Sequence, residues 1–150
     1  MQEAVEMAIE NVRAGRGGPF AALVVRDGEV VARGTNLVTS SQDPTAHAEV
    51  VAIRRACRSL NTFQLDGCDL YTSCEPCPMC LGAIYWARLD RVFYAGTRED
   101  AAAAGFDDHF IYDEIALAPA ERHITMIPMM RDEAQRAFDA WTDHEDRIAY

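Results

Sequence analysis

Two short motifs constrain this chain more than any other feature, because together they carry the ligands of a zinc ion. His47 stands two residues before Glu49, and Cys77 stands three residues before Cys80. One imidazole and two thiolates suit Zn²⁺, and three protein ligands leave its fourth tetrahedral position open for water. The motifs therefore predict a catalytic zinc site and require a fold that brings His47 to the two cysteines.

Glu49 is not needed as a ligand and remains available to move protons beside the metal. A zinc ion in such a site lowers the pKa of its bound water toward ~7. A neighbouring carboxylate can take a proton from that water and deliver protons to a ring nitrogen and a departing amine. The order H-x-E followed by P-C-x-x-C is the signature of zinc deaminases. We therefore predict hydrolytic deamination at an amidine-like ring carbon.

A structural zinc site is the alternative, since Cys74 could supply a fourth ligand and close the coordination sphere. A chain of 150 residues with 49% apolar content can bury a core without such a site. A closed site would also give Glu49 no role. Cys77 and Cys80 fit the first turn of one helix, whereas Cys74 falls in the preceding loop. These points favour the catalytic site.

Composition predicts one domain, residues 1–150, because no linker, repeat or low-complexity run divides the chain. The N-terminal residues are too acidic for a targeting peptide, and no apolar run is long enough to span a membrane. Three of the five cysteines lie within residues 74–80, which fits metal binding in a reducing compartment. We therefore expect a cytoplasmic protein with no membrane partner.

The acidity of the chain bears on its partners. The net charge is −10 and the pI is near 4.7. Such a charge creates an unfavourable long-range field toward a polyphosphate. No nucleic-acid partner is expected.

Periodicity and turn residues predict alternating helices and strands. The Asp27-Gly28 pair predicts a hairpin, and Thr45 is a plausible N-cap of the second helix. The fold class is predicted as α/β, a three-layer α/β/α arrangement with a mixed sheet of about five strands. Helices are predicted at 3–13, 46–60, 77–88, around 101–104 and 132–142, and strands at 21–25, 30–33, 68–72, 91–95 and 124–129.

Helix ends are predicted to carry the metal ligands. Cys77 and Cys80 would open a helix, where unpaired backbone N–H groups and the helix dipole favour thiolate over thiol. His47 would lie in the first turn of its own helix. Residues two apart on a helix diverge by roughly 200°. His47 and Glu49 can therefore share a site only if it lies over the helix end.

The chain resembles the cytidine-deaminase-like superfamily and, within it, the bacterial guanine deaminases. The resemblance rests on the segments 17–20, 43–49, 71–88 and 104–108 and on the final Tyr150, whereas 119–146 matches loosely. It implies conversion of guanine to xanthine and ammonia in purine catabolism or salvage. The implied roles are zinc ligation by His47, Cys77 and Cys80, proton transfer by Glu49, and substrate contact by Phe20, Asn36, Ala48, Asp108 and Tyr150.

Three of the implied contacts also have a physical reading. Phe20 can stack on a planar base, and Asn36 carries both a donor and an acceptor for a base edge. Asp108, if ionised, only accepts hydrogen bonds and suits the N–H groups of guanine. Without the resemblance, these residues would be read as a core aromatic, a turn residue and a loop carboxylate.

The resemblance further implies a homodimer that exchanges its C-terminal segments, residues 131–150. The helical spacing of apolar residues in 132–142 predicts that this helix buries one face. Exchange would let Tyr150 close the active site of the partner. Packing of the helix on its own chain is the alternative.

Other functions share parts of this pattern. A tRNA adenosine deaminase has the same zinc motifs but needs a basic surface, which this acidic chain lacks. A cytosine or nucleoside deaminase, including one for guanosine, fits the charge as well. A zinc-stabilised binding module would not be an enzyme and would leave Glu49 unexplained.

Overall fold

The computed structural model describes residues 1–150, which form two compact units, Met1–Asp108 and His109–Tyr150. The assignment of 1–150 to one domain stays a prediction. None of the helices has the length and apolar character needed to cross a membrane.

The first unit contains a four-stranded mixed sheet and five helices. The strand order is β2-β1-β3-β4; β1 is antiparallel to β2 and β3, and β3 is parallel to β4. The predicted α/β class is confirmed, with four strands where about five were predicted. The elements are α1 Gln2–Arg13, β1 Ala21–Arg26, β2 Glu29–Thr35, α2 Val38–Ser41, α3 Ala48–Leu60, β3 Cys68–Cys74, α4 Pro78–Trp86, β4 Arg91–Gly96 and α5 Arg98–Ala103.

The central strand β1 is buried on both faces. Ala22 and Val24 belong to a core cluster that includes residues of α3 and α4. Ala21 and Leu23, which alternate with them and so point to the opposite face, are also buried. α1 contacts β1 and β3, and the sheet therefore carries helices on both faces, as predicted.

α3 lies unusually close to the sheet. A Cβ atom built on Gly34 of β2 would lie 2.2 Å from the carbonyl oxygen of Ala48 and 2.5 Å from the nitrogen of Ala52. Only glycine fits between the two backbones at that point. Because Ala48 begins α3, this contact fixes the end of the helix at which the metal motif stands.

The predicted start of α3 is wrong by two residues. The helix begins at Ala48 with His47 as its N-cap residue. Thr45, predicted as the cap, instead donates hydrogen bonds to Asp43 Oδ1 from its backbone N–H (2.8 Å) and its hydroxyl (2.7 Å). A local side-chain turn outcompetes capping here, as is common for Asp and Thr.

The second unit is helical. It contains α6 His109–Ala116, a 3₁₀ turn Pro119–Glu121 and α7 Arg131–Asp143. α7 confirms the predicted helix at 132–142, whereas α6 was not predicted. The predicted strand at 124–129 is wrong: the segment has no strand partner, it contains Pro128, and 73% of Ile127 is exposed. β-propensity alone does not make a strand when no neighbour completes its hydrogen bonds.

Candidate active site

Two helix N-termini meet at the predicted metal ligands. His47 caps α3, Cys77 caps α4, and Cys80 lies in the first turn of α4. His47 Nδ1 lies 3.5 Å from Cys77 Sγ and 3.5 Å from Cys80 Sγ. The three ligand atoms all lie within 4.8 Å of one another. The structure thus brings together the three residues that the motifs single out.

This spacing suits zinc. A tetrahedral ion that binds nitrogen at 2.0–2.1 Å and sulfur at about 2.3 Å separates the two atoms by about 3.5 Å. One imidazole and two thiolates also match its ligand preference. His47, Cys77 and Cys80 therefore fit a zinc ion with a fourth position left for water.

Glu49 is buried beside this group. It is the second residue of α3, and only 5% of it is exposed. Thr72 Oγ1 donates a hydrogen bond to Glu49 Oε1 at 3.2 Å, and Cys80 Sγ lies 3.4 Å from Oε2. Burial raises the pKa of Glu49. A raised pKa brings a carboxyl toward the range in which it can both accept and release a proton.

A cavity of about 420 Å³ opens beside these groups. This volume falls in the usual range of small-molecule sites. Phe20, Asn36 and Asp108, which were expected to contact the substrate, line it together with His47, Cys77 and Glu49.

The residues that carry these groups match a family model. Residues 1–96 match the cytidine and deoxycytidylate deaminase zinc-binding region. This match covers more than half of the chain and includes both metal motifs.

The chain belongs to the cytidine and deoxycytidylate deaminase family.

Within the family, the chain is similar to guanine deaminases in sequence and in structure. The guanine deaminase of Bacillus subtilis (strain 168) is 55% identical over all of this chain and 96% of its own length. The X-ray structure of B. subtilis guanine deaminase aligns with a TM-score of 0.97 at 56% identity, covering 99% of this chain and 95% of that one. A guanine deaminase from Nitrosomonas europaea aligns at 37% identity with a TM-score of 0.67, covering 72% of this chain and 63% of that one.

The similarity to tRNA-modifying members of the family is shorter. A tRNA-specific adenosine deaminase from Aquifex aeolicus is 46% identical over 77 residues, which is 51% of this chain and 51% of that protein.

The two cysteines of this deaminase differ in their proton affinity. A hydrogen bond from the Cys80 thiol, and another with His47, lower the pKa of Cys77 to about 4. The pKa of Cys80 is raised because it donates to Cys77 and is buried. The hydrogen bond with Cys77 also raises the pKa of His47. Zinc binds both cysteines as thiolates, so loading the site releases the thiol proton that remains.

Cys74 lies outside the ligand group. It ends β3, and its Sγ donates toward the carbonyl oxygen of Thr97 at 3.5 Å. Burial raises the pKa of Cys74 to about 11, which keeps the thiol protonated. The deaminase therefore has three ligand atoms at the metal position, the number that leaves a coordination site for water.

Asn36 presents a defined face to the cavity. Its Oδ1 accepts hydrogen bonds from the backbone N–H groups of Gly18 and Val38, both at 3.3 Å. These two bonds fix the orientation of the amide. Its Nδ2 group is then the part that can donate to a base.

Two aromatic rings form one wall of the cavity. Phe20 and Phe106 meet edge to face, with ring centroids 4.9 Å apart and an interplanar angle of 85°. Phe106 belongs to the loop that also carries Asp108, whose pKa is raised by burial and by the charge of Cys77.

Two predicted substrate contacts are not among the residues that line the cavity. Ala48 is fully buried and packs in the core cluster, so only its backbone could reach a substrate. Tyr150 belongs to the second unit, where 71% of it is exposed. Its contact with substrate stays a prediction.

Sequence reasoning missed two supporting residues. Thr72 is fully buried and bonds Glu49. Glu75 lines the cavity and accepts a hydrogen bond from the backbone N–H of Arg98 at 3.2 Å. Neither has a motif of its own, although both lie within the 71–88 segment on which the family resemblance rests.

Proposed function

We propose that this chain is a zinc-dependent guanine deaminase that converts guanine and water to xanthine and ammonia, in purine catabolism or salvage. The observation that carries the proposal is that one cavity is lined by Glu49, by the metal-ligand residues His47 and Cys77, and by Asn36 and Asp108, which can read a base. The full-length similarity to the B. subtilis guanine deaminase supports guanine as the base.

Each cavity residue has a role suited to guanine. Phe20 stacks on the planar ring. The Nδ2 group of Asn36 donates to an acceptor on the base, and Asp108 accepts from ring or amino N–H groups. Guanine offers both kinds of group on its edges.

Glu49 carries the protons. When bound, zinc supplies a water of lowered pKa beside the carboxylate. Glu49 would take one proton from that water and give it to the ring nitrogen as the oxygen bonds to the carbon that bears the amine. It would then take the remaining hydroxyl proton and give it to the amine, so that ammonia leaves as the carbonyl forms.

Charge separates guanine deamination from the tRNA alternative. The net charge of −10 disfavours binding of a polyanion. Cytosine and nucleosides carry no such charge, so relative turnover is the measurement that distinguishes them from guanine.

A substrate panel tests this proposal. Ammonia release should be measured from guanine, guanosine, adenine, cytosine and tRNA with the zinc-loaded protein, with Glu49→Gln as the matched control for background. We expect guanine to be turned over fastest. Turnover of tRNA or cytosine without turnover of guanine would reject the proposal.

We also propose a homodimer that exchanges residues 131–150, so that Tyr150 completes the partner's site. Support comes from the second unit, in which no residue is buried. Phe138 and Trp141 of α7 are 65% and 44% exposed. An amphipathic helix that buries nothing in its own chain requires another surface.

The five cysteines are all free, in keeping with the proposed cytoplasmic location.

A further inference from the structure

Asn11 is a buried polar residue that the mechanism does not use. It lies in the last turn of α1 and is fully buried. Its Oδ1 is the one buried side-chain nitrogen or oxygen atom without a hydrogen-bond partner. Asparagine is also a poor helix former. Asn11 thus destabilises the fold in two ways, through an unpaired buried oxygen and through its low helix propensity. Such a residue is expected to have a compensating role.

The amide nitrogen of Asn11 connects α1 to the substrate cavity. Its Nδ2 donates to the carbonyl oxygen of Gly18 at 3.0 Å and to the carbonyl oxygen of Asn36 at 2.9 Å. Both partners can only accept, so the orientation of the amide is determined. Asn11 therefore bonds the backbone of two residues that line the cavity.

Gly18 and Asn36 are also bonded to each other. The N–H of Gly18 donates to Asn36 Oδ1 at 3.3 Å. Gly18 is thus held at its carbonyl by Asn11 and at its N–H by Asn36. A Cβ atom on the adjacent Gly17 would lie 2.2 Å from the carbonyl oxygen of Asn36, so the loop packs directly against that backbone.

We propose that Asn11 is a positioning residue that aims the Nδ2 group of Asn36 at an acceptor of the bound base. This inference rests on the proposed guanine deamination. Asn11 holds the backbone of Asn36, and Gly18 and Val38 hold its Oδ1. Without Asn11, the buried carbonyl of Asn36 loses its side-chain donor and the carbonyl of Gly18 keeps only the N–H of Phe20. The backbone that carries the base-reading amide is then held at its N–H alone, by the carbonyl of Phe20. A specificity contact built on a positioned amide is then weakened.

The experiment compares Asn11→Leu, Asn36→Ala and the double variant. Leu65→Val, a core truncation outside this network, is the control for loss of stability. Guanine is tested beside 2-aminopurine, which lacks O6, and 7-deazaguanine, which lacks N7, as substrates or competitive inhibitors. If Asn36→Ala leaves the KM for one analogue unchanged, the acceptor atom that this analogue lacks is the one to which Asn36 donates.

We expect Asn11→Leu to raise the KM for guanine by about tenfold, the upper end of one net hydrogen bond, with kcat much less affected. Asn11→Leu should not change the KM for the analogue whose KM is unaffected by Asn36→Ala. In the double variant, it should not raise the KM for guanine beyond the value of Asn36→Ala alone. Leu65→Val should lower the midpoint of unfolding, but its effect on KM should not depend on which base is used or on whether Asn36 is present. Equal losses on all three bases, or additive losses in the double variant, would overturn the proposal.

Amide hydrogen exchange separates this inference from the proposed function. If the wild-type protein does not turn over guanine, the proposed function fails whatever Asn11 does. Exchange at the N–H groups of Gly18 and Val38 is then compared between the wild type, Asn11→Leu and Leu65→Val. Faster exchange in Asn11→Leu alone supports the positioning role, and unchanged exchange removes it.

Discussion

Buried polar side chains gather around one cavity. Asn36, Glu49 and Thr72 are buried; Asn36 and Glu49 line the cavity, and Thr72 donates a hydrogen bond to Glu49. Burying a carboxylate is costly, and the cost appears as the raised pKa of Glu49. Buried carboxylates with shifted pKa values are common at functional sites, where the carboxylate takes part in the chemistry.

Replacing Glu49 by Gln tests its role directly. The amide keeps the shape of the side chain but cannot exchange protons. We expect zinc content to be retained and kcat to fall by ~10²–10⁴, the usual contribution of a positioned acid or base. Metal analysis and steady-state kinetics on the same preparation provide the measurement. Near-normal turnover by this variant would exclude Glu49 as the proton carrier.

At the level of secondary structure, the N-termini of two helices position the site. His47 and Cys77 are the N-cap residues of α3 and α4, and Cys80 lies in the first turn of α4. Because His47 precedes α3, it can share one site with Glu49 of the first turn. The close approach of α3 to β2 at Gly34 holds one of these ends in place.

Gly34→Ala is predicted to displace α3. The new methyl group would meet the backbone of Ala48 and Ala52, which cannot move aside as a side chain can. We expect a loss of about 1–3 kcal/mol in the free energy of unfolding and reduced zinc affinity. Gly82→Ala, in an exposed part of α4 with no atom within 4 Å, is the control and should stabilise by about 0.5–1 kcal/mol. Denaturant unfolding of both variants decides the matter, and equal stability would contradict the close-packing argument.

An ion pair ties the edge strand β4 to β3. Arg91 Nε and Nη2 bind Asp69 Oδ1 and Oδ2 at 2.8 and 2.6 Å, and the two residues are register partners. The guanidinium of Arg91 lowers the pKa of Asp69. A carboxyl with a lowered folded-state pKa contributes stability above its unfolded pKa, and this contribution is lost as the pH falls through the folded value.

Arg91→Met should therefore lower the midpoint of thermal unfolding near pH 7, and the difference from wild type should shrink as the pH falls below ~4. Zinc-free protein should be used for both, so that metal loss does not contribute. A residual difference at low pH is expected, because Arg91 also lies over the ring of Phe93. A difference that is constant from pH 7 to pH 3 would show that the ion pair contributes no stability.

Local signals in the sequence predicted most of the first unit but, in the second unit, only the helix α7. The hairpin at Asp27-Gly28 and the helices around the metal motifs depend on turn residues and on short-range periodicity. The strand at 124–129 failed because strand formation depends on a partner that the local sequence does not reveal. The zinc group followed from motif spacing, whereas the support of Glu49 by Thr72 depends on packing between α3 and β3.

At the scale of the whole molecule, the exposed apolar residues of the second unit lead to a prediction about mixed dimers. A chain lacking residues 148–150 retains Glu49, and a full-length Glu49→Gln chain retains Tyr150. If Tyr150 acts in the partner's site, a mixed dimer contains one site with both groups.

Mixing the two inactive chains should therefore restore guanine turnover. The truncated chain alone should keep its zinc and its dimer mass, which metal analysis and light scattering would measure. Verified mixed dimers without recovered activity would show that the C-terminal residues act within their own chain or not at all.

Isotope and product balance provide the most direct test of zinc-dependent guanine hydrolysis. Guanine is incubated with the zinc-loaded protein in H₂¹⁸O, and xanthine and ammonia are measured by mass spectrometry and by a coupled assay. The account predicts one ammonia per xanthine, with one ¹⁸O atom incorporated from water into each xanthine, and almost no product with Glu49→Gln. Absence of ammonia from guanine, or xanthine without the label, would contradict it.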